Sequence, residues 1–373
     1  MALNTTKVDS LHPGPGLSSV SVNSNLNVGN LNARGSIVSD NISGQNVVIN
    51  GGFDIWQRGP SVFVPVSSTN VYTADRWSVT NGALQSVTVS RQGTQDTTLL
   101  PFLQFGARVQ RNPGQTGTTP IFFDHSLPTE DSIPLAGQFV TASFYARAGE
   151  NYSATDNLLS FQLLTGVGID RNVSTNTIGD GIAISRTVNL TRNWIRYVFT
   201  VPQALAVSTS QLFLRFGFNP VGTSGVNDSF EITGVEIERG NIATPFRRAN
   251  AVLAAELLSA QRFYYRATAE TAFGRLGSGV AILAATAQIN IPLPVTMRAL
   301  PIVPDFSPVG TLRFVDLTAV VPALTTNPIL LAASTRNLAV IQADCAGGMT
   351  VNRPHMLEGN NNATAFIGIS AEL

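Results

Sequence analysis

Charged and aromatic side chains cluster around two of the three tryptophans in this 373-residue chain. The stretches GGFDIWQRGP (51–60) and VYTADRW (71–77) place carboxylates and guanidinium groups beside indole rings, although only 12% of the residues are charged. An exposed indole can stack on a sugar ring while a fixed charged group binds its hydroxyls. The ligand-binding residues predicted on this basis are Trp56, Trp77, Asp54, Asp75 and Arg76.

A structural interpretation of the same stretches stays open. Trp56 and Trp77 would then bury apolar area at the corner of a β-sandwich. The surrounding carboxylates and arginines, Arg58 among them, would pair with one another and tie strand ends together. We favour this interpretation of the two.

A second polar cluster lies in FDHSLPTEDS (123–132). Asp124, His125, Glu130 and Asp131 offer an acid and a base in one segment, but solvation of a connecting loop explains them equally well. The three histidines, His12, His125 and His355, fall in three different segments, and no hydrolase, nucleotide-binding or zinc motif occurs. We therefore predict that the chain is not an enzyme.

No metal or cofactor site is predicted either. DRNVSTNTIGDG begins like a calcium loop, with Asp170 and Asn172 at alternate positions, but Gly181 stands where the bidentate glutamate belongs. Asparagine, serine and threonine between strands are ordinary turn residues.

The composition excludes several classes of partner. Positive and negative residues both number 23, so no basic excess is present to bind nucleic acid or anionic lipid. No stretch of 18 apolar residues predicts a membrane span, and the start MALNTTKVDS does not resemble a signal peptide. A single cysteine, Cys345, excludes a disulfide within the chain. We expect synthesis in the cytoplasm.

Alternation of apolar and polar residues predicts an all-β fold. Each of three runs places its apolar residues on one face: Val140, Ala142, Phe144 and Ala146; Ile195, Tyr197, Phe199 and Val201; Leu212, Leu214, Phe216 and Phe218. In SFEITGVEIERG the apolar positions change phase at Gly234, which predicts a β-bulge there.

Two later segments depart from this pattern. Leu253, Leu257 and Tyr264 recur at helical spacing, so we predict a helix over residues 251–264 with Asn250 as its cap. In AQINIPLPV, the prolines predict an edge strand because proline has no amide hydrogen to donate.

The segment NVVINGGFDIWQRG…YTADRW resembles the start of a jelly-roll module that recurs in bacteriophage tail-fibre and other virion proteins. That module is related to carbohydrate-binding modules of polysaccharide-degrading enzymes. The similarity continues through LAGQFVTASFYARAG, RNWIRYVFTVP and ITGVEIERGNIATPFRR, and then through ELLSAQRFYYR, IPLPVTMRALPIVP and ISAEL, and so extends over about residues 46–373.

The resemblance implies a multimeric virion component that contacts a receptor or polysaccharide and does not catalyse a reaction. Related modules hold a structural calcium near their first and last strands, where Asp54 and Glu236 or Glu238 are the nearest candidates here. No ligand spacing identifies these carboxylates, so we predict no metal.

Taken together, these observations predict four segments. They are an N-terminal virion-attachment and trimerising β segment (1–46), a carbohydrate-binding-like jelly-roll β-sandwich (47–248), a short connector helix (249–266) and a smaller C-terminal β domain (267–373). The first segment is too polar to bury a core alone and is either assembled with sister chains or a disordered tail.

The predicted protein is a homotrimeric phage tail fibre or spike, located in the virion, that binds host surface polysaccharide. Its predicted partners are sister chains, other virion proteins through residues 1–46, and the host polysaccharide, with no nucleic acid and no membrane insertion. The alternative is a capsid decoration, cement or tail-joining protein that binds no glycan.

Overall fold

A computed structural model describes residues 45–173, 181–316 and 322–373. For residues 303 and 304 it describes only the backbone. The predicted N-terminal assembly segment lies outside the described residues except for its last two positions. Most of the DRNVSTNTIGDG segment, from residue 174 to residue 180, also lies outside them.

Strands dominate the described part of the chain, as the alternation predicts. The first twelve are β1 (Ser61–Val64), β2 (Val71–Tyr72), β3 (Trp77–Thr80), β4 (Val87–Gly93), β5 (Phe105–Arg111), β6 (Ile121–Ser126), β7 (Val140–Ala148), β8 (Leu158–Gly166), β9 (Ile182–Asn189), β10 (Ile195–Thr200), β11 (Gln211–Phe218) and β12 (Ser229–Arg239). Sheet I has the order β1-β4-β5-β12-β7-β10, and sheet II has the order β2-β3-β6-β11-β8-β9. The two antiparallel sheets share one core, so the predicted jelly-roll sandwich is confirmed.

The inward-facing residues of β7 and β11 fill this core. All eight apolar residues predicted to share these faces are buried. Phe144 of sheet I and Phe216 of sheet II meet edge to face, with ring centroids 4.9 Å apart. The third predicted run is less buried because β10 is an edge strand, and Ile195 at its start is 36% exposed.

The predicted β-bulge at Gly234 is confirmed. The register between β12 and β7 shifts between Thr233 and Glu236, and Gly234 has a φ of 57°. The shift returns Val235 and Ile237 to the core side. A β-carbon at position 234 would lie 2.7 Å from Leu103 Cδ1, so both the backbone conformation and the space require glycine.

We expect Gly234→Ala to lower the free energy of unfolding by about 2–4 kcal/mol, because a left-handed backbone and a steric collision both oppose it. Gly114→Ala is the matched control, since Gly114 also has a positive φ (80°) but has no atom within 4 Å of the added carbon. The control is expected to cost about 1 kcal/mol. Urea unfolding measures both, and equal losses would contradict the steric argument.

One helix of more than a single turn occurs in the described residues, α2 (Leu253–Gln261), after the one-turn α1 (Thr129–Ser132). The predicted helix is therefore present but shorter at both ends. Val252, not Asn250, precedes it without a side-chain cap, and the Asn250 side chain binds Glu256 instead. Short 3-10 turns cover Ile133–Leu135, Thr155–Asn157 and Val309–Thr311.

The remaining strands form a second, smaller core behind α2. They are β13 (Tyr264–Thr268), β14 (Arg275–Ala281), β15 (Thr286–Pro292), β16 (Val303–Phe306), β17 (Leu312–Val315), β18 (Ile329–Leu330), β19 (Leu338–Asp344), β20 (Pro354–Gly359) and β21 (Phe366–Ser370). Sheet III has the order β13-β21-β16, and sheet IV has the order β17-β20-β14-β15-β19-β18. The edge-strand prediction was wrong, because β15 pairs on both sides and Pro292 is its last residue.

Candidate functional site

The two tryptophans of the predicted ligand site lie in the interior of the jelly roll. Trp77, on β3, is fully buried, and its ring centroid lies 5.0 Å from those of Phe53 and Phe123. Trp56 is 9% exposed, and its indole N–H donates to the Phe53 carbonyl oxygen at 2.7 Å. Trp77 therefore has no open ring face on which a sugar could stack.

The carboxylates of the predicted site have partners within the chain. Asp54 accepts a hydrogen bond from Arg248 Nε at 2.8 Å. Asp75 accepts two from Gln57, one from the backbone amide at 2.7 Å and one from the side-chain amide at 2.6 Å. Burial is the largest influence on the pKa of the Asp75 carboxyl and raises it.

Arg76 connects the jelly roll to the end of the chain. Its buried guanidinium forms an ion pair with Glu372, donates to the Ser126 carbonyl oxygen at 2.6 Å, and stacks 3.6 Å from the ring centroid of Phe263. Arg58 lies 3.4 Å from the same Glu372 carboxylate. The structural interpretation expected these charged residues to pair with one another, but their partners are Arg248, Gln57 and Glu372. The ligand-binding role of Trp56, Trp77, Asp54, Asp75 and Arg76 stays a prediction.

The acid and base candidates of FDHSLPTEDS are divided between two elements. Asp124 and His125 are neighbours on β6, so they point to opposite faces of sheet II. His125 is buried against Trp77, and burial lowers its pKa well below the usual value. Glu130 and Asp131 lie on α1, and Glu130 forms an ion pair with Arg262 at 2.7 Å.

Residues directly opposite one another on five neighbouring strands form two rows across the outer face of sheet II. The first row is Ser78, Asp124, Arg215, Gln162 and Ser185. The second row is Thr80, Phe122, Gly217, Ser160 and Thr187. Both rows face away from the core because the residues that alternate with them fill it.

An ion pair fixes the centre of the first row. Arg215 donates to both oxygens of Asp124, at 2.9 and 3.0 Å, and its side chain is only 14% exposed. Burial raises the pKa of the Asp124 carboxyl, while the hydrogen bond and charge of Arg215 lower it. The same guanidinium lies 4.3 Å from the ring centroid of Phe122. The pair is charge-neutral and holds an aromatic ring in one orientation.

Gly217 leaves room for this ring in the second row. A β-carbon at position 217 would lie 2.3 Å from Ser160 Oγ and 3.4 Å from the edge of Phe122. The phenyl ring is therefore half-buried, leaning over a strand that has no side chain there. Any larger residue would displace either the ring or the hydroxyl.

A cleft of about 500 Å³ continues from the second row. Its lining combines hydroxyl and amide groups with small apolar side chains and contains no charged residue: Thr118, Ala154, Thr155, Leu158, Ser160, Thr187, Asn219, Pro220 and Val221. We call the second row together with this cleft the sheet II groove. Hydroxyl and amide groups can donate and accept hydrogen bonds, so the groove can bind a neutral polar ligand.

This groove was not predicted from the sequence. Its residues are common turn and strand types, and they come from β3, β6, β8, β9 and β11 and from the loops that contain Thr118, Ala154 and Pro220, which are far apart in the chain. Polar residues at alternate positions of apolar strands were the available indication. They predict an exposed face but do not reveal which strands lie side by side.

No group of three or more histidine, cysteine, aspartate or glutamate side chains in the described residues is arranged to hold a metal ion. No helix in the same residues is long and apolar enough to cross a membrane.

Solved structures similar to part of the chain include carbohydrate-binding proteins and a phage tailspike. A CBM4 module is 16% identical with a TM-score of 0.29 and covers 51% of this chain and 97% of its own. A putative sugar binding protein from Bacteroides thetaiotaomicron is 13% identical with a TM-score of 0.32, covering 52% and 100%. The enzymatically active domain of bacteriophage CBA120 tailspike protein 4 is 10% identical with a TM-score of 0.33, covering 52% and 21%.

No protein-family model matches the chain, and no curated protein matches it. Structural similarity at these identities and TM-scores carries no functional inference.

Proposed function

We propose that this chain is a non-catalytic glycan-binding component of a bacteriophage particle, a tail fibre or spike that binds host surface polysaccharide through the sheet II groove. The observation that carries the glycan-binding part is the cleft beside the second row, which is polar but uncharged. Ser160, Thr187 and Asn219 there provide hydrogen-bonding groups suited to sugar hydroxyls.

The surrounding residues support the same ligand class. Leu158 and Pro220 offer apolar contact for the C–H surface of a sugar ring, and Phe122 continues that surface along the row. Binding sites for small molecules typically combine such apolar walls with a few oriented polar groups. Because Arg215 is already paired with Asp124, the groove presents no unpaired charge that would favour an anionic ligand.

The phage origin and the homotrimer rest on the sequence resemblance and on the low apolar content of residues 1–46. In this proposal residues 1–46 attach the chain to the particle and to its sister chains, residues 47–248 bind the glycan, and residues 267–373 form a separate β domain joined by the 249–266 connector. Light scattering after size-exclusion chromatography tests the trimer, and a stable monomer would contradict it.

Filling the groove tests the binding function. We expect Thr187→Trp, at an exposed position that lines the cleft, to lower affinity for a bound glycan at least about tenfold, because the indole occupies ligand volume. The ligand is first found on an array of bacterial surface polysaccharides and then measured by calorimetry.

Thr268→Trp is the matched control. It makes the same substitution at another exposed strand position, on β13 of sheet III, away from the groove. Affinity equal to that of the unaltered protein is expected. If no polysaccharide binds, the glycan-binding function is rejected in favour of a decoration or tail-joining role, and if Thr187→Trp binds normally, the site lies elsewhere.

A further inference from the structure

On the outer face of sheet I, two arginine side chains bind one carboxylate. Glu231 on β12 lies directly opposite Arg108 of β5 on one side and Arg147 of β7 on the other. Arg108 reaches Oε1 at 2.8 Å through Nε and 2.7 Å through Nη2. Arg147 reaches Oε2 at 2.9 Å through Nε and 2.6 Å through Nη2. The carboxylate, only 4% exposed, is fully occupied by these two neighbours.

This arrangement leaves one positive charge and several N–H groups in excess. A guanidinium has five N–H donors, and Glu231 takes two from each arginine. The side chains of Arg108 and Arg147 keep 31% and 25% of their surface exposed. One arginine would neutralise the carboxylate, as Arg215 does for Asp124 on the opposite sheet. The second arginine is held rigidly by Glu231 without being needed for charge balance.

Arg147 also lines a polar cavity of about 340 Å³. Arg192 and Asn193 line the same cavity, and Arg192 is exposed. The Arg147 guanidinium lies 4.6 Å from the ring centroid of Trp194, whose indole N–H is bonded to the backbone of Thr94. The excess charge is therefore fixed in orientation at the cavity wall.

One carboxylate faces this cavity from the loop before β5. Asp96 lines it, and its Oδ1 accepts hydrogen bonds from the amides of Thr98 and Leu99, so that oxygen is used within its own turn. Arg147 and Arg192 lie on the other side of the cavity, and the charges of Arg108 and Glu231 cancel each other. Positive charge therefore exceeds negative charge at the cavity.

We propose that this cavity binds an oxyanion, the carboxylate or phosphate group of an acidic polysaccharide, between Arg147 and Arg192. A planar guanidinium whose Nε and one Nη are held by Glu231 still directs N–H groups toward a carboxylate or phosphate oxygen. The site is on the sheet opposite to the groove, so it does not depend on binding there. The chain then has two glycan contacts of different chemistry, one neutral and one anionic.

Two arms of one binding experiment distinguish the sources of the oxyanion. Polygalacturonate supplies carboxylates and a phosphomannan supplies phosphates, while carboxyl-reduced polygalacturonate and unphosphorylated mannan are the neutral counterparts. We expect the full-length protein to bind at least one acidic polymer at least about tenfold more tightly than its neutral counterpart, with affinity falling as salt rises. Equal affinity for the acidic and neutral polymers in both arms would overturn the proposal.

Arg147→Gln and Arg108→Gln form a matched pair. Each removes one of the two arginines from Glu231, so both are expected to lower thermal stability to a similar extent. Only Arg147 lines the cavity, so Arg147→Gln is expected to lose about tenfold or more in affinity for the acidic polymer, and Arg108→Gln less than about threefold. Arg192→Gln, at an exposed position, is expected to weaken binding without a change in stability.

Any other pattern contradicts the site. If Arg147→Gln and Arg192→Gln bind the acidic polymer as the unaltered protein does, the two arginines have only a structural role. Thr187→Trp blocks the groove but is expected to leave binding of the acidic polymer unchanged. Failure of the groove and failure of the cavity can therefore be told apart.

Discussion

Raising the pH from 6 to 9 is expected to lower the free energy of unfolding by about 2–3 kcal/mol through Glu236 alone. Glu236 on β12 is fully buried, and its carboxylate oxygens have no well-formed hydrogen bond in the part of the chain that the structure describes. Burial, reinforced by the charge of Glu238, raises the pKa of Glu236 from 4.5 to about 8, against the opposing influence of Arg196 and of the backbone amide and charge of Arg247. The folded protein thus holds this carboxyl protonated at pH 6.

The direction of the effect follows from proton binding. Between pH 4.5 and 8 the folded state binds the Glu236 proton and the unfolded state has lost it. The contribution of Glu236 to the free energy of unfolding is therefore greatest below pH 4.5. It decreases as the pH rises and levels off above pH 8. Asp131, whose pKa burial raises to about 6, acts in the same direction below pH 6. Asp131 is already half ionised at pH 6, so it adds only about 0.4 kcal/mol to the loss between pH 6 and 9. His125 acts in the opposite direction near pH 6, because burial lowers its pKa and the unfolded state binds its proton more readily.

Glu236→Gln tests this expectation, because glutamine has the same shape and does not titrate. The variant is expected to match the unaltered protein within about 1–2 kcal/mol at pH 5, since both carry a neutral buried polar group. At pH 9 it should be more stable relative to the unaltered protein than at pH 5, by about 3 kcal/mol or more. Urea unfolding at a series of pH values measures both. An unaltered protein equally stable at pH 6 and 9 would sink the idea.

Replacing Arg76 by methionine is expected to lower the free energy of unfolding by about 3–5 kcal/mol. The substitution leaves the Glu372 carboxylate, only 5% exposed, with Arg58 at 3.4 Å as its remaining cation. It also removes the hydrogen bond to the Ser126 carbonyl oxygen and the contact with Phe263. Methionine retains much of the apolar volume, so the expected loss is mainly electrostatic.

A double-mutant cycle separates the ion pair from general damage. Glu372→Gln removes the charge that Arg76→Met leaves unpaired, so the double variant is expected to lose less than the sum of the two single variants, by about 1–3 kcal/mol. Calorimetry supplies the unfolding energies. Strictly additive losses would show that the pair contributes no coupling, and a loss below about 1 kcal/mol for Arg76→Met would contradict its role as an anchor.

The strand faces of the jelly roll could be predicted from local sequence. Val140 to Ala146 and Leu212 to Phe218 alternate with period two, and a side chain on a strand faces the core or the solvent according to that period alone. The bulge at Gly234 could also be predicted from local sequence, because one extra residue in a strand shifts the alternation of apolar and polar residues by one position. The exact helix ends were less predictable, because Asn250 donates hydrogen bonds to Glu256 instead of capping the helix.

The sites required information that no single segment contains. The pairing of Arg76 with Glu372 spans 296 positions, and the composition of the YTADRW stretch does not indicate that its partner is the end of the chain. The sheet II groove likewise depends on β6, β11, β8 and β9 being neighbours in that order. Strand order is set by the packing of the whole sandwich.

The sequence by itself determined the all-β class, the inward faces of the central strands, the bulge and the presence of one longer helix, because each follows from periodicity within a few residues. Only the tertiary structure decided that Trp77 is enclosed, that Arg76 anchors the chain end, and that an uncharged groove and an arginine-rich cavity occupy opposite faces of the sandwich. Burial and charge pairing arise between strands that are distant in sequence, so local patterns cannot specify them.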